Sequence, residues 1–527
     1  MKNIIYYIFI MTLNILLQNI QSQVTQSWVQ RFNNTINGWD EPRDIAIDKL
    51  GDIYVTGYSF INLTERYYYT IKYNSTGVQQ WAKSYNVGYG SAFAITLDDS
   101  ANVYITGDNT NGIITIKYTT TGIEQWAAQY NGPDIDNARE IAVDKEGNVY
   151  VTGWSWNDST YFDYITIKYN KLGHQQWAVL YNSITNSYDQ ARALTVDNSG
   201  NVYITGSSEG SGIITIKYSS AGNQIWLANY FGGIGYDIEL DKYNNVYLAG
   251  YTGSAGNHNY ITIKYDSSGN LQWAKTYDGS GGDDVSQWMS LDSTGSVYVT
   301  GYSYGGAATR NDFATIKYNS AGIQQWVARY NGPGSSHDFV RNVALDRAGD
   351  VYITGYAYVP AGGTFDFATV KYNGITGNQQ WVVLYNGTGD SSDYGWALDV
   401  DSMNNVYVTG ASFGNGTGRD FATVKYSQTI GIQQISNQIP TEYRLEQNYP
   451  NPFNPVTKIR FSIPSAEFVK LFIYDALGRE ISTVVNERLM PGIYETEWNS
   501  VNMGSGVYFY SLKTNGFSQT KKMMVIK

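Results

Sequence analysis

The chain contains no cysteine. That excludes a disulfide framework, thiolate metal sites and a cysteine nucleophile, so stability has to come from packing. Histidine is nearly absent: His174, His258 and His337 stand in unrelated loops without metal-ligand spacing, and each reads as a solvated loop residue. Charged residues make up only 15%, with a net charge of −11, which leaves no basic stripe for nucleic acid. No HExxH, GxSxG or DxDxDG motif occurs. Proline numbers 10, and the six between Pro440 and Pro491 mark a compositionally different final domain. Long apolar runs are missing as well. The longest, Ile4 to Leu17, is short for a membrane span; with Lys2 before it and a polar stretch to Ser22 after it, it has the build of a secretory signal peptide over residues 1–22.

What the chain does have is 48 tyrosines, 54 glycines and a sentence repeated eight times. The segment "VYVTG" recurs with its glycine at 57, 107, 153, 206, 250, 301, 355 and 410, at intervals of 44 to 55 residues. Each copy reads as four short strands. An alternating run such as "IAID" ends in Asp48, Asp98, Asp144, Asp197, Asp241, Asp292, Asp346 or Asp401, and a turn such as "KEGN" leads into "VYVTG". A variable loop then precedes "TIKY", and a glycine turn precedes "QQWAKSYN". In these turns glycine supplies the positive φ while Asp or Asn caps the turn, which is a better account of the repeated "DxxGN" than calcium loops. Hairpin-linked strands at this period, without helical periodicity, predict an all-β fold with four-stranded blades arranged radially, a β-propeller.

The eighth copy reaches Ile435 where tryptophan is expected, and the missing strand stands at the front of the chain as "QSWVQRFN". Trp28 aligns with Trp81, Phe32 with Tyr85 and Asn33 with Asn86. The expectation is eight blades, with the N-terminal strand closing the last one and leaving the ring without a free edge. The "VY", "KY" and "YN" tyrosines and the repeat tryptophans are assigned to the spaces between blades, not to a ligand site.

The copies, "DxxGNVYVTGxS" followed by "IKYNxxGxxQW", resemble secreted bacterial β-propeller repeats over roughly Ile45 to Tyr426; members are usually called seven-bladed, whereas eight sets are found here. The C-terminal segment resembles the sorting domain of the type IX secretion system. Its marks are "NYPNPFNPVTKIRFSIP" (Asn448 to Pro464), "IYDALGRE", "GVYFYSL" and the terminal "TKKMMVIK". The resemblance implies handling by that machinery and delivery outside the cell, released or held at the surface. Alternating "KIRFSI" and "KLFIYD" independently predict a small Ig-like β-sandwich there. The expected organisation is a signal peptide over 1–22, a propeller over 23–435, a linker over 436–443 and the sorting domain over 444–527. A monomer with no transmembrane segment in the mature chain, no metal and no cofactor is expected.

In an up-and-down blade the variable loops and the inter-blade connections emerge on one face, where binding residues usually lie. Five residues before each repeat Asp stand Arg43, Phe93, Arg139, Arg192, Tyr236, Gln287, Arg341 and Trp396, and four of the blades carry "DxxR". The bland reading is that the Asp caps a turn while its Arg forms an ion pair with a neighbouring blade. The functional reading rings the channel mouth with Arg43, Phe93, Arg139, Arg192, Tyr236, Trp288, Arg341 and Trp396, a set suited to an acidic or glycan ligand. Trp154 and Trp156, in the aromatic stretch "WSWNDSTYFDY", are added as a candidate partner surface. The favoured expectation is a binding or adhesion protein for a glycan or surface protein, and the alternative is a polysaccharide-processing enzyme, hydrolase or lyase, on the same scaffold.

Overall fold

A computed structural model describes residues 24–34, 37–132, 134–184, 186–428, 433–436, 439–500 and 503–527. The expected signal peptide lies outside the described residues. Regular structure among the described residues consists of strands, arranged in ten four-stranded sheets. They divide into two compact units, one over Gln26–Ser427 and the other within Gln428–Lys527.

Eight sheets form the propeller. Seven use consecutive strands, as in Asp40–Ile47, Ile53–Phe60, Arg66–Tyr73 and Gln79–Tyr85 of blade 1. Inner strands of successive blades contact one another, and that of blade 8, Tyr394–Val400, meets that of blade 1. The eighth sheet orders Val24–Phe32, Gly418–Gln428, Val406–Gly414 and Tyr394–Val400, so the N-terminal strand is its outer edge, as expected.

Side chains show why that strand belongs there. From Trp81 to Trp326 the repeat tryptophans donate their indole N–H to a turn carbonyl of the next blade: Trp81 to Thr120 at 3.1 Å and Trp273 to Ser320 at 3.2 Å, for example. Trp28 makes the same bond from blade 8 to Ser75 of blade 1, at 3.4 Å. Arg31 reproduces the bonds of Arg329 in blade 6: each reaches a serine hydroxyl at 2.6 Å (Ser412, Ser303), a tyrosine hydroxyl at 3.2 Å (Tyr385, Tyr277) and an aspartate (Asp420, Asp312). Trp28 and Phe32 then pack with Ile45, Ile71, Tyr73, Tyr407 and Phe421 in the cluster that joins blade 8 to blade 1.

The repeat aromatics fill the inter-blade spaces. The "VY" tyrosines from Tyr54 to Tyr407 are essentially inaccessible, and so are the "KY" tyrosines. Each turn aspartate caps its own hairpin: Asp98 accepts from the backbone of Ser100 and Asn102 and from the hydroxyl of Tyr104, all at 2.9 Å.

The C-terminal unit is a pair of sheets enclosing one apolar core, which includes Phe453, Ile459, Leu471, Tyr494 and Leu512. Gln433–Ser436 pairs with Gly492–Asn499 in this unit. The structure therefore ends the propeller at Ser427, ahead of the 435 expected from the sequence, because Ile435 and its neighbours extend the C-terminal sheet.

Candidate ligand-binding face

Every inner strand carries a β-bulge, and the bulged residue is the one five positions before the repeat aspartate. In blade 3 Ala138 pairs with Gly153 and Glu140 with Thr152, leaving Arg139 without a partner across the ladder. Arg43, Phe93, Arg192, Tyr236, Gln287, Arg341 and Trp396 occupy the same place in the other seven blades. A bulge adds a residue and re-aims the side chain. It also explains the invariant glycine of "VYVTG". A Cβ at Gly153 would run into the carbonyl oxygen of Asn137, and one at Gly57 into that of Glu41, so the bulged strand can cross only over glycine.

The bulge residues meet around the axis as stacked pairs. The Arg43 guanidinium lies 5.1 Å and that of Arg341 4.8 Å from the Trp396 ring, so a tryptophan of blade 8 is flanked by arginines of blades 1 and 7. Arg139 lies 5.1 Å from Phe93 and 4.1 Å from Trp154, and Arg192 is 4.7 Å from Tyr236. Stacking holds each guanidinium by its face and leaves edge N–H groups for a ligand. Burial pushes the Arg139 guanidinium down to about 10, and the positive charges of Arg192 and Arg43 add to that shift. The Nε atoms of Arg43, Arg139, Arg192 and Arg341 are shielded and have no acceptor.

The "DxxR" aspartates do cap turns: Asp40 accepts from the backbone of Asn34 at 2.9 Å, Asp189 from Ser183 at 2.6 Å and Asp338 from Gly332 at 2.6 Å. Their arginines, however, stack on rings and do not form the ion pair of the bland reading; Arg43 has only a 3.9 Å approach to Glu41. Two candidates sit differently. Trp288 is one residue past the bulge, in the register of Asp44 and Glu140, and packs against the core between blades 6 and 7. Trp154 is buried beneath Arg139 and supports it instead of facing solvent. Trp156 lies in a half-exposed cluster with Tyr161, Phe162 and Tyr188.

Below the ring the channel wall carries acids that sequence reasoning missed: Asp44, Glu140, Asp237, Glu239 and Asp399. Four reach across to the next blade's backbone, Asp44 to Ile95 at 2.9 Å, Asp237 to Met289 at 2.8 Å, Glu239 to Leu291 at 3.0 Å and Asp399 to Ile47 at 3.1 Å. Burial raises Asp44 to about 7 and Glu140 and Glu239 to about 8, outweighing these bonds. The signal was an acid one or three residues past the bulge position, legible only once the bulge is known. Among the described residues no cluster of His, Asp and Glu could hold a metal ion.

The family of β-propeller repeats abbreviated SBBP matches residues 28–63, 125–159, 176–213 and 325–360, and the secretion system C-terminal sorting domain matches 447–527. The chain carries SBBP β-propeller repeats and a secretion sorting domain. The match at 28–63 opens on Trp28 just as those at 125, 176 and 325 open beside Trp126, Trp177 and Trp326, which is the phase the closing strand requires. The sorting domain makes this protein secreted or exposed on the cell surface, handled by type IX secretion machinery. No helix among its described residues is long and apolar enough to cross a membrane. A comparison with curated proteins found no match. Similar solved structures include the Dos1 propeller (9% identity, 76% of this chain and 95% of that one, TM-score 0.46). A fungal alcohol oxidase of the AA5 family in complex with copper (11%, 95% and 99%, 0.39) and the polysaccharide lyase Uly1 (12%, 65% and 92%, 0.39) are also similar.

Proposed function

We propose that the exported propeller is a binding module whose variable-loop face captures an extracellular glycan or surface protein through the arginine and aromatic ring. The observation that carries this reading is the bulge, present in all eight inner strands, with four of the bulged residues being arginines whose guanidiniums stack on rings, Arg43 also lying 3.9 Å from Glu41. Such an arrangement supplies forked donors for anionic groups and flat faces for sugar rings. A glycan and surface-protein array probed with the full chain tests it. Replacing Arg43, Arg139, Arg192 and Arg341 together with Gln should abolish capture and leave the melting temperature close to that of the parent; capture that survives the four changes overturns the reading.

A second reading has one observation in its favour. Burial and the neighbouring Asp44 charge raise Glu140 to about 8, and a protonated acid beside a second carboxyl group is the pairing that glycoside cleavage uses. Turnover of a captured glycan that Glu140→Gln abolishes would move the protein to the enzyme class.

A further inference from the structure

Two blades put a bulky residue with positive φ where the chain turns into the third strand, Arg310 in blade 6 and Tyr161 in blade 3, both at φ 62°. The residue that opens the third strand has positive φ as glycine in blades 2, 4 and 8, at Gly112, Gly212 and Gly418. Blade 3 puts Tyr161 there, at φ 62°. A bulky side chain in that conformation is strained, and strain of this kind persists where something else holds it. Here the Tyr161 ring stacks on Tyr188 of the next inter-blade connection, 5.4 Å away and inclined by 24°, with Trp156 at 5.6 Å. Both tyrosines remain 44% exposed, so the stack is a surface platform and not a core contact.

The platform runs into a cleft. Tyr188 also lines a cavity of about 530 Å³ between blades 4 and 5, which Arg192 of the ring and the protruding Phe231 share. Phe231 is 83% exposed, and the buried Ser208, opposite Asp189 in the ladder, forms part of the cleft wall. Flat rings followed by a guanidinium match a sugar chain that carries carboxylates.

We propose that blades 3 to 5 form an elongated subsite for a polyuronate, with sugar rings on Tyr161 and Tyr188 and a uronate carboxylate on Arg192 in the Ser208 cleft. This rests on the reading of the variable-loop face as a binding surface and names its ligand class and off-axis extension. Aromatic faces provide the sugar selectivity, and the guanidinium provides the charge selectivity.

The test titrates polygalacturonate, neutral dextran and dextran sulfate onto the full chain and its variants. Polygalacturonate should bind, dextran should not, and dextran sulfate should bind more weakly because its groups do not match the carboxylate fork. Tyr161→Gly restores the residue that other blades use, so its melting temperature should stay level or rise while polygalacturonate affinity falls by about tenfold; Arg192→Gln should cost at least as much. Equal binding of both anionic polymers, insensitive to Tyr161→Gly, overturns the proposal as mere charge attraction. No polygalacturonate binding, or loss of binding on Arg43→Gln and Arg341→Gln but not on Tyr161→Gly, overturns the subsite and leaves the binding module standing. Failure of the module itself would show as array capture that is indifferent to all four ring arginines.

Discussion

Asp44 and Glu140 stand one residue past the bulge, half-buried in the channel wall, and the fold resists their ionisation. In the unfolded chain both lose their protons near their ordinary values, 3.8 and 4.5, whereas in the folded chain they do so near 7 and 8. Over that interval the folded state binds more protons, so these groups stabilise the fold at acidic pH and that stability is lost as pH rises from about 4 to about 8. Glu239, raised from 4.5 to about 8, acts in the same direction. The melting temperature of the propeller should therefore fall between pH 5 and pH 8 in a calorimetric series. Glu140→Gln, which keeps an acceptor for the Ile141 N–H now bonded at 3.0 Å, should flatten that slope; an unchanged slope would mean the acid is solvated. None of this was visible in the sequence, where an acid on an alternating strand reads as surface.

At the scale of the strand, the glycine of "VYVTG" and the bulge opposite it are one device. Gly153→Ala asks a backbone carbonyl, that of Asn137, to give way, and backbone cannot rotate aside as a side chain can. The substitution should cost about 1–3 kcal/mol in denaturant unfolding, the usual range for overpacking. It should also move Arg139 out of the ring, visible as loss of its stack on Trp154. The turn glycines have a second reason besides φ. A Cβ at Gly122 would sit 2.8 Å from the Trp81 ring, because Trp81 covers the turn of the following blade, as Trp28, Trp126 and Trp177 do theirs. Sequence reading found these glycines as hairpin markers, and the packing explains why they could not be Asn instead. The "DxxR" register coincides with the bulge, where the arginine stacks on a neighbouring ring and leaves the capping aspartate free to bond the incoming backbone.

Across the whole molecule, the ring holds because blade 8 borrows its outer strand from the other end of the chain. Trp28→Ala removes the indole that bridges blade 8 to Ser75 and opens the cluster with Tyr73 and Tyr407. It should destabilise the propeller by about 3 kcal/mol, toward the lower end for tryptophan truncation because the side chain is only half-buried. Removing residues 24–34 should cost much more than removing an equal length of surface loop, with the loss read as a lower melting temperature. An unchanged transition would show that the edge of Gly418–Gln428 needs no partner.

Repeat period, strand count, the closing strand and the sorting domain were all legible in the sequence, because they rest on local alternation, turn glycines and the copies' agreement with one another. Trp28 standing in for Ile435 could be counted without coordinates. Only the tertiary structure decided where the propeller stops, since Gln433–Ser436 finds its partner in a strand far along the chain. It alone decided the site as well. A bulge is a relation between two strands, a stack such as Arg341 on Trp396 joins two blades, and the strain at Tyr161 exists only in folded backbone; none leaves a periodic trace in the order of residues.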